Sequence, residues 1–410
     1  MKRTLKALLY LFLSAFLFFS GVLLEVSPAK VIDQIKKDVD DTFQDDNAKD
    51  TDLILDDVDQ DVNEQDDTSD VVEKQDTFYE YYYTVLDEQN KLKYSMLEKA
   101  VSRMEKSVVI PDITSDEIGV LYQYVHNDHP EFFWMENNYS YRTLGNDVEV
   151  LLKYTCTEKE KEKRETVINQ QVNEILAGMP MDSGDYEKIK YVFETLVDMT
   201  SYDLNAPDNQ NIYSVFGNWV TVCAGYAKAT QHLLNQAGIE CIYVTGDAGE
   251  YHAWNIVKCD GNYYYVDTTW GDPLYQEIQG VESQYKRVAY EYLCCPESLL
   301  FRTHTPDAVL NLPKCEDSSL EYYRLAGRYF ESYDRSQMIE LLKNDYLQGV
   351  KHTELQYGSK DVFDQAHADF NDAFQEFSTQ VSNETGKDVS EIQCMYGGND
   401  VTAVFTVDWK

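Results

Sequence analysis

The sequence of 410 residues is poor in basic side chains, and this shortage limits the classes of function that the protein can have. Lysine and arginine number 35 against 73 acidic residues, which gives a formal net charge of −38 at pH 7. Nucleic-acid binding needs basic patches, so the charge argues against a nucleic-acid partner. The eight cysteines show no CxxC spacing and no Cys/His cluster of the kind that binds metals. We therefore predict no metal site and no other cofactor.

Long apolar runs are also scarce, and the single run that approaches bilayer thickness extends from Ala7 to Leu24. It follows Lys2 and Arg3, as in an export signal or an N-terminal membrane anchor. Small residues at Ser27-Pro28-Ala29 offer a cleavage site, so a cleaved signal and a retained anchor stay open for residues 1–29. In both cases we expect the rest of the chain outside the cytoplasm, secreted or anchored, with the membrane touched only by this segment.

The segment at 30–76 is predicted to be an acidic, disordered linker. From Asp38 to Asp76 it holds 17 acidic and two basic residues, and it has too little apolar surface to bury a core. Three folded regions are predicted after it: an N-terminal domain of helices and a β-hairpin at 77–182, a central core at 183–300 that contains the motifs described below, and a small α+β module at 316–410.

Periodicity and turn residues predict the elements of these regions. The expected helices are 78–104, 115–127, 157–178, 185–200, 336–345 and 361–380. The expected strands are two around Gly145-Asn146, two around Asp260-Gly261, one at 351–357 and two around Gly397-Gly398.

Three short motifs between residues 220 and 273 point to a chemistry. They are TVCAGYA at 221–227, HAWN at 252–255 and VDTTW at 266–270. A cysteine, a histidine and an aspartate in this order can supply a thiolate nucleophile, a base and a group that orients the base.

Cys223 is predicted to open a helix that ends at Gly238, with Thr221 as a reasonable N-cap. In a first turn, the unpaired backbone N–H groups and the helix dipole favour an anion, and hence the thiolate. The small residue Gly225 should leave the sulfur approachable, and the Cys223 amide could face a developing oxyanion. A buried structural cysteine is the ordinary alternative.

The second and third motifs lie on the two arms of a predicted hairpin. Residues 252–259 and 262–269 alternate in strand fashion around Asp260-Gly261, a strong signal for a two-residue turn. Such a turn pairs Cys259 with Asn262 and fixes the register of the whole ribbon.

Continued to its open end, this register makes Asp267 the diagonal neighbour of His252 on one face of the hairpin. The sequence therefore predicts that Asp267 fixes the tautomer of His252. A structural histidine and a strand-ending aspartate are the ordinary alternatives.

Taken together, the three motifs resemble those of the transglutaminase-like superfamily, especially the versions found in bacterial cell-surface proteins. The resemblance covers about 185–293 and reaches upstream to NDHPEFFW at 127–134. It implies an α+β, papain-like core in which a helix-borne cysteine packs on an antiparallel sheet. It also implies acyl transfer with Cys223 as nucleophile, His252 as general base and then acid, and Asp267 as the orienting group.

Aromatic and amide side chains near the motifs are candidates for the substrate cleft. The segment 202–219, just before the nucleophile, is expected to be a loop that lines the cleft or donates to an oxyanion, and a merely packed loop is an equal alternative. The cleft candidates are Gln210, Tyr213, Trp219, Trp254 and Trp270. His304 has no carboxylate at hairpin spacing and is predicted to be structural.

The sequence thus favours an extracytoplasmic thiol enzyme whose partner is a protein or peptide amide. An amine that resolves the acyl-enzyme would give a crosslink, whereas water would give deamidation or proteolysis, and the sequence leaves these outcomes open. The alternative is a non-catalytic cell-surface binding or assembly protein that retains the fold. A Cys/His metal centre is disfavoured because only one thiol and one imidazole converge.

Overall fold

The structure is a computed structural model that describes residues 79–180, 182–272 and 288–410. The predicted signal or anchor at 1–29 and the acidic linker at 30–76 lie outside these residues. Across the described part of the chain, every helix is too short or too polar to cross a bilayer.

The described helices are numbered here in chain order. They are α1 (Tyr81–Thr84), α2 (Glu88–Ser102), α3 (Ser115–Asp128), α4 (Glu158–Gly178), α5 (Asp185–Met199), α6 (Ile212–Asn218), α7 (Cys223–Gln236), α8 (Glu297–Leu300), α9 (Tyr322–Leu325), α10 (Arg335–Leu347) and α11 (Lys360–Thr385), with a 3-10 turn at Val389–Glu391.

The described strands pair into four sheets. They are β1 (Ser107–Ile110), β2 (Ser140–Leu144), β3 (Asp147–Leu151), β4 (Ser201–Tyr202), β5 (Val220–Thr221), β6 (Cys241–Asp247), β7 (Tyr251–Cys259), β8 (Asn262–Val266), β9 (Thr305–Pro306), β10 (Tyr329–Phe330), β11 (His352–Tyr357), β12 (Cys394–Asn399) and β13 (Val404–Trp409). The sheet orders are β1-β3-β2, β4-β5, β8-β7-β6-β9 and β10-β11-β13-β12.

Helix α7 packs against the antiparallel strands β6 and β7 and against α5 and α6. Small side chains at Ala224, Ala227 and Ala229 allow this close approach, and every residue from 224 to 235 is buried. A helix buried on all sides is typical of a domain centre rather than a surface layer. This is the α+β core, with a helix on an antiparallel sheet, that the sequence predicts.

Two large hydrophobic cores occur among the described residues, together with a small cluster of Ala227, Tyr243 and Ala253 packed against Cys223. The larger one combines side chains of α1 to α5 with those of α7 and the β6–β8 sheet, and it extends to Cys315. A hydrogen bond joins the N-terminal helices of this core to its sheet: the Tyr82 hydroxyl of α1 donates to the carbonyl of Tyr243 on β6 at 2.7 Å. The smaller core lies between α10, α11 and the C-terminal sheet, where Phe370, Phe377 and Phe405 are fully enclosed.

Most predicted elements are found within a few residues of their expected ends, and three expectations are wrong. The helix expected at 78–104 is interrupted, because the Asp87 carboxylate accepts from the Asn90 amide and starts a new helix there. The loop expected at 202–219 contains the helix α6, which is capped by the Asn211 side chain.

The turn expected at Gly397-Gly398 is also wrong, since both residues lie inside β12 and the chain reverses at 400–403. A Cβ on Gly398 would come within 2.1 Å of the Val404 carbonyl oxygen. This glycine therefore serves a close strand approach and not a reversal.

Candidate active site

Cys223 is the first residue of α7 and is partly exposed, as the sequence predicts. The expected cap is wrong: the N-cap residue is Val222, and no side chain caps the helix. The Thr221 hydroxyl instead bonds Ser214 at 2.5 Å and the Asn209 carbonyl at 3.1 Å, which ties β5 to the segment before it. The first-turn amides beside the sulfur thus carry no capping side chain.

Gly225 has a different role from the one expected. A Cβ at this position would lie 1.9 Å from the Thr221 hydroxyl and 2.9 Å from that of Ser214. Because Gly225 has no side chain, the first turn of α7 can pack directly against these two hydroxyls. Its role is therefore in packing and not in access to the sulfur.

The hairpin has the predicted register. Cys259 pairs with Asn262, and the ladder continues to Asn255 opposite Val266. Strand β8 ends there, and the amide of Asp267 donates to the Tyr292 carbonyl at 3.0 Å. Its carboxylate nevertheless meets the predicted partner, with Asp267 Oδ2 at 2.9 Å from His252 Nε2.

Both partners of this pair are almost completely buried, with side-chain exposures of 1% for His252 and 0% for Asp267. Burial opposes the charged imidazole, but the Asp267 carboxylate outweighs it and raises the pKa of His252 to about 10, with a further contribution from Cys223. Burial likewise opposes the carboxylate, yet the two neighbouring histidines, His252 and His304, hold the pKa of Asp267 well below its usual range.

The structure therefore brings Cys223, His252 and Asp267 together. Nε2 of His252 is committed to Asp267, which leaves Nδ1 to serve the thiol, and the Cys223 side chain is a hydrogen-bond partner of His252 that helps to raise the pKa of the imidazole. Such an arrangement can hold a thiolate against an imidazolium.

His304 is a site residue that sequence reasoning misses. Its Nε2 lies 3.1 Å from Asp267 Oδ2, the same oxygen that His252 uses, and its side chain is fully buried. It lies 37 positions from its partner along the chain, so no strand register could have paired them.

A cleft of about 760 Å³ opens at the sulfur of Cys223. Of the five predicted cleft residues, Gln210 is among the described residues that line it. Trp254 lies behind the site, fully buried and stacked on His252, and Trp270 packs against both His252 and His304.

The other two cleft predictions also fail. Tyr213 lies under the guanidinium of Arg164, 4.5 Å from ring to Cζ, and is not part of the described cleft lining. Trp219 ends α6 in a left-handed conformation with 56% of its surface exposed, and it is not part of the described cleft lining.

The polar part of the cleft lining consists mainly of amides and tyrosines, a surface suited to hydrogen bonding with peptide groups. These side chains are Gln123, Asn127, Asn137, Asn209, Gln210, Tyr122, Tyr139, Tyr202, Tyr243 and Tyr251. Glu250 and Asp307 add negative charge, and no lysine or arginine occurs among the described lining residues.

A buried pair of basic side chains, which the sequence did not indicate, borders the cleft. The Lys228 amine lies 2.9 Å from Nε2 of His126, which lines the cleft. Burial lowers the pKa of Lys228 to about 7 and that of His126 well below its ordinary value. The cleft wall thus contains a basic pair in which burial disfavours the charged forms.

Two groups in the described part of the chain bring potential metal donors within 4.8 Å of one another: His252 with Asp267 and His304, and His129 with Glu80 and Glu98. In the first group, the donor atoms already take part in the hydrogen bonds that orient His252. A cation there would compete with these bonds.

Comparison with known proteins identifies the family of one part of the chain. Residues 171–268 match the model of the transglutaminase-like superfamily. This part of the chain is therefore a transglutaminase-like domain, and the resemblance inferred from the three motifs is confirmed, together with the α+β papain-like fold.

Curated relatives and solved structures with detectable similarity cover only part of the chain. Kyphoscoliosis peptidase of Mus musculus is 24% identical over 163 residues, which are 35% of this chain and 24% of that protein. Its Homo sapiens counterpart is 26% identical over 142 residues, 30% of this chain and 21% of that protein. The chain thus spans about a quarter or less of the length of these relatives. A transglutaminase crystal structure is 15% identical, with a TM-score of 0.25, covering 43% of this chain and 51% of that one.

Proposed function

We propose that this protein is an extracytoplasmic thiol enzyme that performs Cys–His–Asp acyl transfer on amides of proteins or peptides. The observation that carries the proposal is the buried His252–Asp267 pair, bonded at 2.9 Å beside a partly exposed Cys223 in an open cleft. A structural cysteine would need neither the oriented imidazole nor the access.

In the first half-reaction, the Cys223 thiolate attacks the amide carbon, and a C–S bond forms as the carbonyl π electrons move to oxygen. The Cys223 amide, at the uncapped helix start, is placed to face this oxyanion. When the oxyanion collapses, the C–N bond breaks, and the imidazolium of His252 gives its proton to the leaving amine or ammonia.

In the second half-reaction, water or an amine attacks the thioester. Neutral His252 takes a proton from this nucleophile, the C–S bond breaks, and the thiolate–imidazolium pair is restored. Asp267 keeps the imidazole oriented in both steps. Water gives hydrolysis, as in deamidation or proteolysis, and an amine gives a crosslink.

The nature of the cleft supports a peptide substrate. Amide and tyrosine side chains can bond main-chain amides, and the acidic groups Glu250 and Asp307 favour a neutral or basic ligand. The peptidase name of the mouse and human relatives is in line with an amide substrate. The extracytoplasmic location rests on the apolar segment after Lys2 and Arg3.

The test is a search for products by mass spectrometry after incubation of the full chain with casein and a biotinylated alkylamine. We expect a thioester on Cys223 together with amine incorporation, deamidated glutamine or chain cleavage, and their relative amounts identify the reaction. Cys223→Ala should abolish all of them, whereas the matched variant Cys394→Ala should not.

Iodoacetamide gives a readout that needs no substrate. At about pH 6 an activated thiolate reacts faster than an ordinary thiol, so free glutathione serves as the reference thiol and the partly exposed Cys156 as an internal reference. If Cys223 reacts no faster than these two and casein is unchanged, the protein is a binding protein that keeps the fold, and the proposal is wrong.

A further inference from the structure

We infer that His304 is a positioning residue for the acyl-transfer site: its Nε2–H holds the Asp267 carboxylate ionised and aimed at His252 through the reaction cycle. The inference rests on the proposed function and adds a fourth member to the predicted Cys–His–Asp set.

The first argument is the way in which Asp267 is held. Oδ2 accepts from His252 Nε2 at 2.9 Å and from His304 Nε2 at 3.1 Å, while Oδ1 accepts from the Trp270 amide at 3.2 Å. A carboxylate oxygen accepts but does not donate, so His304 must carry a proton on Nε2. Three donors from three chain segments leave the carboxylate little freedom to turn.

The second argument is that His304 is itself immobilised. Its Nδ1 bonds the Thr303 hydroxyl at 2.7 Å, and that hydroxyl lies 3.1 Å from the Tyr292 hydroxyl. The rings of Trp254 and Trp270 pack on the imidazole with centroids at 5.0 and 4.7 Å. A histidine that is bonded at both nitrogens and packed against two indole rings can transmit position to its partner.

The chain after His304 is anchored to the same sheet that carries His252. Strand β9 pairs with β6, placing Pro306 opposite Gly246. A Cβ on Gly246 would lie 2.2 Å from the Thr305 carbonyl, so the glycine is what permits this close approach. The same sheet therefore holds the backbone at His252 and the backbone next to His304.

The third argument comes from the proposed reaction. When His252 gives its proton to the leaving group, the positive charge beside the wholly buried Asp267 disappears. A buried carboxylate that loses its charged partner is costly unless hydrogen bonds remain. The bond from His304 persists at that stage and keeps Asp267 an acceptor for His252. Tyr292 and Cys295 also act electrostatically with Asp267, and burial raises the pKa of both, which keeps them neutral.

The experiment compares two substitutions in the full chain. His304→Gln keeps an N–H near the position of Nε2, whereas His304→Phe keeps a ring of similar size but removes the donor. We expect His304→Phe to slow the alkylation of Cys223 by iodoacetamide by at least about tenfold, because a misdirected imidazole no longer supports the thiolate. His304→Gln should retain most of the wild-type rate.

A spectroscopic readout separates positioning from simple stability. The Nε2–H protons of His252 and His304 should give downfield proton resonances, since both are bonded to a buried carboxylate. In His304→Phe one resonance should vanish, and that of His252 should move further downfield because Oδ2 then serves a single donor. A structural role would lower the melting temperature and leave the His252 resonance in place. If His304→Phe does not fold, His304→Asn replaces it, because its shorter amide cannot reach Oδ2.

The outcomes distinguish the two proposals. Wild-type Cys223 that reacts no faster than Cys156 overturns the proposed function. Wild-type Cys223 that reacts rapidly, with equal rates and an unshifted His252 resonance in the donor-less variant, overturns only the role of His304.

Discussion

The transglutaminase-like core and the C-terminal module each place a histidine, a carboxylate and a cysteine near one another. In the core they are His252, Asp267 and Cys223. In the module, His352 of β11 pairs with Asp408 of β13 through Nδ1, and its Nε2 lies 3.2 Å from a carboxylate oxygen of Glu354. Cys394 lies on β12, which pairs with the strand of Asp408. The same residue types are thus present twice.

The surroundings of the two sets differ. The His252 and Asp267 side chains are 1% and 0% exposed, whereas those of His352 and Asp408 are 18% and 20% exposed. Burial together with the charge of Asp408 raises the pKa of Cys394 to about 12, so this thiol stays protonated. Cys223 instead begins a helix and faces an imidazole that Asp267 keeps charged. Arrangement, and not residue type, separates a candidate nucleophile from an inert thiol.

The largest effect should come from exchanging each aspartate for its amide. Asp267→Asn removes the group that orients and stabilises the imidazolium, and we expect kcat on casein to fall by about 10⁴-fold. Asp408→Asn should leave kcat nearly unchanged, because its histidine serves no thiolate. Steady-state kinetics with circular dichroism would check both. Equal losses in the two variants would break the distinction between the regions.

The next effect is a pH dependence that only the core should show. The pKa of His252 is raised to about 10, so its imidazolium is present below that pH and is lost above it. Turnover should therefore decline on the alkaline side with a midpoint near pH 10. The stability contributed by this charge is complete below the unfolded pKa of about 6.5 and is lost as pH rises towards 10.

Asp267→Asn is the matched control for this profile. Without the carboxylate, the imidazolium loses its stabilising partner, and the alkaline midpoint of the residual activity should move to lower pH. Asp408→Asn should leave the midpoint in place. A midpoint that Asp267→Asn does not move would assign the alkaline limb to another group.

The smallest effect concerns the packing of the helix start that carries Cys223. Cys394 lies in a strand and has no such helix. Gly225→Ala forces a methyl group against Thr221 and Ser214 and should cost about 1–3 kcal/mol of unfolding free energy. Gly119→Ala, also in a helix, meets only the Tyr139 hydroxyl at 3.6 Å and should stabilise the protein by about 0.5–1 kcal/mol. Urea denaturation measures both, and equal signs would refute this packing argument.

The features that sequence reasoning recovered are local. The Asp260-Gly261 turn set the hairpin register, and the register led to the His252–Asp267 partnership. Helical periodicity located α7 with Cys223 at its start. The missed features depend on how segments pack against one another: His304 reaches Asp267 across 37 residues, and Gly225 packs on the hydroxyls of Thr221 and Ser214, which precede the helix.

The cleft shows the same division. Trp254 and Trp270 belong to the motifs and were expected to face substrate, yet they back the imidazoles, because large aromatic rings supply the buried surface that holds polar groups in place. The described lining comes largely from the neighbourhood of α3, from β6 and β7, and from the segment after β9, which the sequence offered no means of bringing together.

The sequence by itself determined the order of the three chemical groups, the turn that pairs two of them and the helix that begins at the third. These depend on backbone preferences over a few residues, which act wherever the segment lies. Only the tertiary structure decided which thiol faces an imidazole, which histidine shares Asp267 and which side chains reach the cleft. Those outcomes depend on burial and on distances between remote segments, and such distances exist only once the core has packed.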